Sequence, residues 1–383
     1  MSLRVGARIG GAAMQAATLL LLARALGPSS FGVLAVFTST GMLLTALACL
    51  GSSTRVLRLR AEPEAEAIEP ALFWIQAAGS VLVLVGLLAA AVVTASPGPA
   101  VVGALLAFSD QQMEFRVSHL SGQVRQSAAS LTIILQRGLA LLAVGAAALL
   151  SLPVLPLVGA AFVAVAAVAL VGAPARSVPA RAVLRFARSS LGYWLSALVI
   201  NLRQLEPLVV SASGGVGTAG LYAIAVRVSN PLTIVVTSLQ AIAVPEMARA
   251  DGRAQFRRMF RLMLGVALLY GAVLVVGSPL VAEGFLRVVG PQYEGARTLV
   301  TVLVVCAGLS AVSQALQARL LAAGRPATSA WIIGGATAIG LVVLAVTSAT
   351  GGASYLWVAP LVTQLLILAA LSVVPVREVP TAA

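Results

Sequence analysis

Arg24, Asp110, Glu114, Arg137, Arg203, Glu206 and Arg227 interrupt long apolar runs in this chain. An ionised side chain within a lipid-spanning run costs about 2.5–3.5 kcal/mol on insertion scales, so each must face protein, a wet cavity or a ligand. Arg203 and Glu206 stand three residues apart with Asn201 and Gln204 beside them, which places them on one helix face. That spacing suits a structural ion pair, or an ion-coupling pair in which Glu206 relays protons. Pro207 follows and can bend the helix. Arg137 and Arg227 have no acid at helical spacing. Each must pair across helices, snorkel or hold an anion, and the planar guanidinium fork suits phosphate. Asp110 and Glu114, one turn apart in a polar run from Ser109 to Arg116, form a solvated helix end or, facing a cavity, an ion-coupling site for a cation or proton. Arg24 is placed to snorkel to the interface.

Other chemistries have little to work with. Cys49 and Cys306 lie far apart in apolar runs, which suggests small buried hydrophobes rather than a disulfide or metal cluster. His119 sits among polar residues at a helix end, and the Glu62, Glu64, Glu66 and Glu69 run reads as a solvated loop. No phosphate-cradling glycine loop is visible, so neither cofactor nor metal is expected.

These residues must be held by membrane-spanning helices. A chain that is 60% hydrophobic and 10% charged, with mean hydropathy +1.02, departs far from the roughly 25% charge of soluble domains. Twelve stretches reach the roughly 20 residues a span needs: about 6–26, 31–54, 70–95, 100–121, 127–151, 153–173, 189–212, 217–245, 259–289, 295–322, 327–349 and 352–375. All 25 strong cations are Arg, and most fall in alternate gaps. The Arg-bearing gaps hold Arg55, Arg58 and Arg60, then Arg125, then Arg176 to Arg188, then Arg249 to Arg258, then Arg325; the others are nearly bare, apart from Arg287 and Arg297. The positive-inside rule then puts both termini in the cytoplasm. The net charge of +13 is accounted for by loops facing anionic lipid, and no nucleic-acid partner is expected.

The loop 175–188 divides the chain into an N-terminal six-helix lobe, 1–174, and a C-terminal one, 189–383. The Gly27 to Ala35 segment between spans one and two is echoed by Gly217 to Ala223 leading into span eight. Six spans separate the copies, so the repeats are parallel, related by an axis along the membrane normal. The expected fold is an all-α integral membrane protein of about twelve transmembrane helices, in two parallel six-helix lobes around a central cavity. Gly6, Gly10, Gly334, Gly335 and Gly340 are the small residues expected to let helices approach.

The segment Ala23-Arg24-Ala25-Leu26-Gly27-Pro28-Ser29-Ser30-Phe31-Gly32, with Gly51-Ser52 and an Arg-rich loop after it, resembles the opening of bacterial polysaccharide-biosynthesis flippases. These belong to the multidrug, oligosaccharidyl-lipid and polysaccharide exporter superfamily. Similar matches follow in order: Gly220-Leu221-Tyr222-Ala223 with Arg227, Pro245-Glu246-Met247-Ala248, Gly290-Pro291-Gln292-Tyr293 with Ala296, and Leu321-Ala322-Ala323-Gly324-Arg325. The resemblance implies two lobes enclosing a V-shaped cavity and export of a lipid-linked oligosaccharide by alternating access. It implies cavity cations for the diphosphate, assigned here to Arg203, Arg227 and Arg137. Two departures stand out: many members carry two further C-terminal spans, and Glu206 replaces their Asp.

The expected function is therefore flipping of an undecaprenyl-diphosphate-linked oligosaccharide or related envelope glycolipid across a bacterial cytoplasmic membrane. Membrane lipid, the lipid-linked glycan and glycosyltransferases or a polymerase of the same pathway are the expected partners. A cation-coupled multidrug exporter of the same superfamily is the alternative; it would prefer an acidic, aromatic-lined cavity, whereas aromatics are 5% of residues. A membrane-embedded glycan polymerase or ligase, the remaining reading, would want a large outside loop, and the outside loops are short. An enzyme is not expected.

Overall fold

Within lipid no water is available to the backbone, so each apolar run closes its own hydrogen bonds as a helix. The computed structural model describes residues 2–56, 65–123, 125–170, 190, 194, 198, 201–248 and 252–375, and these contain helices and no strand. In chain order the helices are α1 (Ser2–Ala48), α2 (Ser52–Val56), α3 (Ala65–Val92), α4 (Pro97–Gly122), α5 (Gln126–Leu150) and α6 (Val154–Leu170). They continue with α7 (Leu205–Ala248), α8 (Arg253–Val289), α9 (Arg297–Ala322), α10 (Pro326–Gly351) and α11 (Val358–Val373). Short 3₁₀ turns at Leu202–Gln204, Pro291–Ala296 and Gly352–Tyr355 precede α7, α9 and α11.

The expected spans map onto these helices, two of which carry more than one. α1 bends at Gly27 (φ 74°, ψ 168°) and so contains spans one and two. α7 bends at Gly215 (φ 84°, ψ 165°) and joins the end of span seven to span eight. Only glycine takes these positive φ values without strain, and Pro28 suits the first position of the helix after the bend. The two bends have matching dihedrals, and the second lies two residues before the Gly217 at which the sequence echo began. The start of span seven and the 175–188 loop lie outside the described residues.

Two compact units emerge, Met1–Gly220 and Leu221–Ala383. The end of span seven, which the sequence division assigns to the C-terminal half, packs with the first unit. There the Ser39 hydroxyl on α1 donates to Gln204 Oε1 at 3.3 Å. In the first unit α1 lies on α4 and α5, and α4 on α6. In the second, α8 packs on α9, and α11 on both α9 and α10. Its core draws Val236 and Met247 from α7, Phe256, Met263 and Ala267 from α8, and Ala311, Ala315 and Ala318 from α9.

Close backbone approach sets these crossings, through glycines that are mostly not those picked from sequence. A Cβ at Gly103 would come within 2.5 Å of the Leu34 carbonyl oxygen, and one at Gly41 within 2.5 Å of Ala107 Cβ. On α8 and α9, Gly271 and Gly308 oppose each other, each added Cβ falling 2.8 Å from the other's carbonyl oxygen. Of the five expected glycines only Gly340 is tight, against Thr363 on α11; Gly6, Gly334 and Gly335 have open space, and Gly10 makes ordinary contact with Ile134. Leu82, Val85, Leu142, Leu269, Val276 and Leu280 are strongly exposed, as lipid-facing residues should be.

The orientation expected from the Arg distribution predicts that a cysteine replacing exposed Ser354, between α10 and α11, reacts with an impermeant thiol reagent from outside, while one at Ser177 does not. Gly351 is a poorer probe, since a side chain there would strike the Tyr355 ring. Cys49 and Cys306 are buried, so the wild-type background should be silent. The reverse labelling pattern would contradict the orientation.

Candidate functional site

Asp110 sits in the middle of α4 and is only 8% exposed. Its Oδ1 accepts two side-chain hydrogen bonds from consecutive residues of α5: Arg137 Nη1 at 2.8 Å and Gln136 Nε2 at 2.7 Å. α1 closes the third side. A Cβ at Gly11 would lie 2.6 Å from Ile133 Cγ2 and 3.7 Å from Arg137 Cγ, so the missing side chain lets α1 cover the stem of Arg137.

The cluster follows from what lipid demands of charge. An acid and a guanidinium alone would each oppose insertion, but paired and hydrogen-bonded they offset much of that cost. Of the alternatives open for Arg137, interhelical pairing is the one formed. The solvated-end reading of Asp110 does not hold, because this position faces the α5 ridge; Glu114, one turn on, is exposed. Beside Asp110, Ser109 Oγ and Gln112 Nε2 are buried and have no partner among the described residues. Buried polar atoms in that state are where internal water is held.

The Arg203–Glu206 spacing does not produce an ion pair. Residues 202–204 form a 3₁₀ turn and the α-helical register begins only at Leu205. Arg203 is exposed, and Glu206 is half-buried in the first turn of α7. Arg227, half-buried on α7 past its bend, belongs to the second unit. The first unit therefore brings Asp110, Gln136 and Arg137 into one cluster, while Arg203, Glu206 and Glu114 stand outside it.

A second polar group was not anticipated. Glu69 is helical, on α3, and not part of a solvated loop; its carboxylate contacts the His119 imidazole on α4, with Gln123 Nε2 3.0 Å from the same ring nitrogen. The His119 ring stacks on Phe115. Facing outward by the sequence topology, Arg287 and Arg297 are matched by acids: Arg297 pairs with Glu294 at 2.7 Å and Glu283 at 3.1 Å, and Arg287 with Glu283 at 3.4 Å. That neutralisation explains how two Arg can depart from the loop pattern.

The repeated bends place a further feature in the first unit. Gly32 on α1 and Gly220 on α7 follow their bends by the same interval and meet backbone to backbone. A Cβ on Gly32 would fall 1.8 Å from the Val216 carbonyl oxygen, and one on Gly220 would fall 1.9 Å from that of Pro28. The contact is reciprocal, each copy of the repeat reading the other.

No protein-family model and no curated protein matches the chain. Among solved structures it is similar to an inward-facing multidrug resistance MATE family transporter of the MOP superfamily, with TM-score 0.66, 15% identity, and 94% of this chain and 92% of that one covered. It is also similar to a MATE in complex with MaD3S (TM-score 0.58, 17% identity, 96% and 93% covered). An outward-facing multidrug resistance MATE family transporter matches with TM-score 0.54 and 14% identity over 96% and 91%. The chain thus has the fold of these MATE transporters, and seven of its described helices are long and apolar enough to cross a membrane.

Two outcomes are expected. Arg137→Gln strands a buried carboxylate and should cost about 3–5 kcal/mol; adding Asp110→Asn should recover much of that loss in a thermal double-mutant cycle, whereas additive losses would mean that the pair is not coupled. Gly32→Ala should lower stability by about 1–3 kcal/mol through overpacking, while Gly86→Ala, with open space at its Cβ position, should not lower it.

Proposed function

We propose that this protein is a secondary exporter that works by alternating access and is driven by a cation gradient, with the proton acting at Asp110. The observation that carries this reading is the buried Asp110, held by Arg137 and Gln136 at hydrogen-bond distance. A ligand or ion moves a conformational equilibrium only by binding one state better than the other. Protonating Asp110 removes one charge of the pair and leaves Arg137 without its counter-ion, so packing that suits one protonation state does not suit the other.

For the transported solute, a multidrug-type exporter is the reading favoured by similarity to transporters described as multidrug resistance proteins. The flippase reading rests on the ordered sequence motifs. In it, Arg203 and Arg227 hold the substrate's phosphates and Glu206 contributes to coupling. Arg137 enters as a third cation when protonation of Asp110 releases it, linking proton uptake to anion binding. Under both readings the protein works in a bacterial cytoplasmic membrane with both termini inside; under the second it serves the glycosyltransferases or polymerase of one pathway.

Purified protein in liposomes with an imposed pH gradient separates the readings. A lipophilic cationic dye such as ethidium should move against its concentration only while the gradient lasts, and a fluorescent undecaprenyl-diphosphate sugar lipid should not change leaflet. Gradient-dependent movement of the lipid without dye transport would establish the flippase instead. Movement of neither, by inserted and folded protein, would remove both.

A further inference from the structure

The repeat makes it possible to ask which surface charges the fold does not require. Carried forward by the interval that separates Gly27 from Gly215, positions on α3 fall on positions of α8. Ile68 and Phe256 occupy one such position and both are buried. Around them the charge differs. α3 carries Glu69, Pro70 and Phe73, with Glu69 satisfied by His119; α8 carries Arg257, Arg258 and Arg261 at the corresponding places. A buried apolar residue is thus common to both copies, and the cations are particular to one.

Arg258 and Arg261 are exposed and, among the described residues, meet no carboxylate. Three apart on a helix, their side chains are neighbours, and like charges at that spacing repel. Arg319 of α9 differs: it lies over the Phe260 ring at 5.3 Å and donates to the Val374 carbonyl at 3.2 Å. Arg258 and Arg261 continue the half of α8 that carries Leu262, Val266, Leu269 and Val273, all exposed. α8 has 37 residues, about 55 Å at 1.5 Å per residue, well beyond the roughly 30 Å hydrocarbon core. Its basic first turns therefore stand at headgroup depth when the apolar strip is in lipid.

We propose that Arg258 and Arg261 form a binding site for an anionic phospholipid of the adjoining leaflet. The phosphate sits between the two guanidinium groups, which can each offer paired N–H donors, and an acyl chain lies along Leu262, Val266 and Leu269. The site combines charges that meet no carboxylate among the described residues with an apolar strip on the same helix face, and this combination matches a lipid better than a free anion.

The test uses full-length protein in detergent, read by native mass spectrometry and by thermal unfolding. Phosphatidylglycerol should remain bound and raise the unfolding temperature, while phosphatidylcholine and inorganic phosphate should not. Affinity for phosphatidylglycerol should fall about tenfold or more in Arg258→Gln/Arg261→Gln and stay unchanged in Arg125→Gln, a control at another expected cytoplasmic loop. Equal binding by the double variant, an equal loss in the control, or the same increment from inorganic phosphate would each overturn the proposal. Should the double variant fail to fold, Leu262→Trp in otherwise wild-type protein decides: brominated phosphatidylglycerol should quench its added fluorescence more than brominated phosphatidylcholine, and equal quenching would overturn the site.

Discussion

Two backbones pass at Gly32 and Gly220 with no room for a side chain on either, and the first unit is arranged around that crossing. In lipid, where apolar surface gains nothing special by being hidden, helices adhere through such close contacts. The bend at Gly27 lets one continuous helix serve on both sides of the crossing. After the bend, α1 rests on α4, with Gly103 under Leu34 and the Thr38 hydroxyl bonded to the Gly103 carbonyl at 3.2 Å. Before it, α1 rests on α5 at Gly11. With α4 and α5 both held by α1, Asp110 and Arg137 are brought within reach of each other.

That pair is expensive to place in lipid and is a weak argument for stability. Buried ion pairs are often no better than well-packed apolar residues of the same volume. Its place beside Ser109 and Gln112, whose buried polar atoms have no partner among the described residues, fits the proton step proposed for Asp110. A carboxylate in such a place can change charge, and a change of charge alters which packing is favoured.

The apolar runs were legible because a bilayer demands length and composition, and the helices follow them; even the two bends fall near gaps between spans. Contacts within one helix turn were less legible than they looked. Arg203 and Glu206 have suitable spacing, but the backbone there is 3₁₀ before it is α. Contacts between helices were hardly legible at all. Nothing in the neighbourhood of Arg137 points to Asp110 on the preceding helix, and a single sequence has no term for helix rotation. The tight glycines were missed for the same reason, since a glycine facing lipid and one facing a carbonyl read alike. Glu69 and His119 looked like surface residues because their partnership spans two helices.

The proton proposed to act at Asp110 is what the exporter reading depends on. It is tested most directly by trapping a pH-sensitive dye inside acid-loaded proteoliposomes and adding ethidium outside. The wild-type lumen should become less acidic as the dye cation exchanges for protons. Folded Asp110→Asn should show no such exchange. Proton exit from the Asn variant at the wild-type rate would rule out a proton step at Asp110 and leave the ion pair as a structural contact.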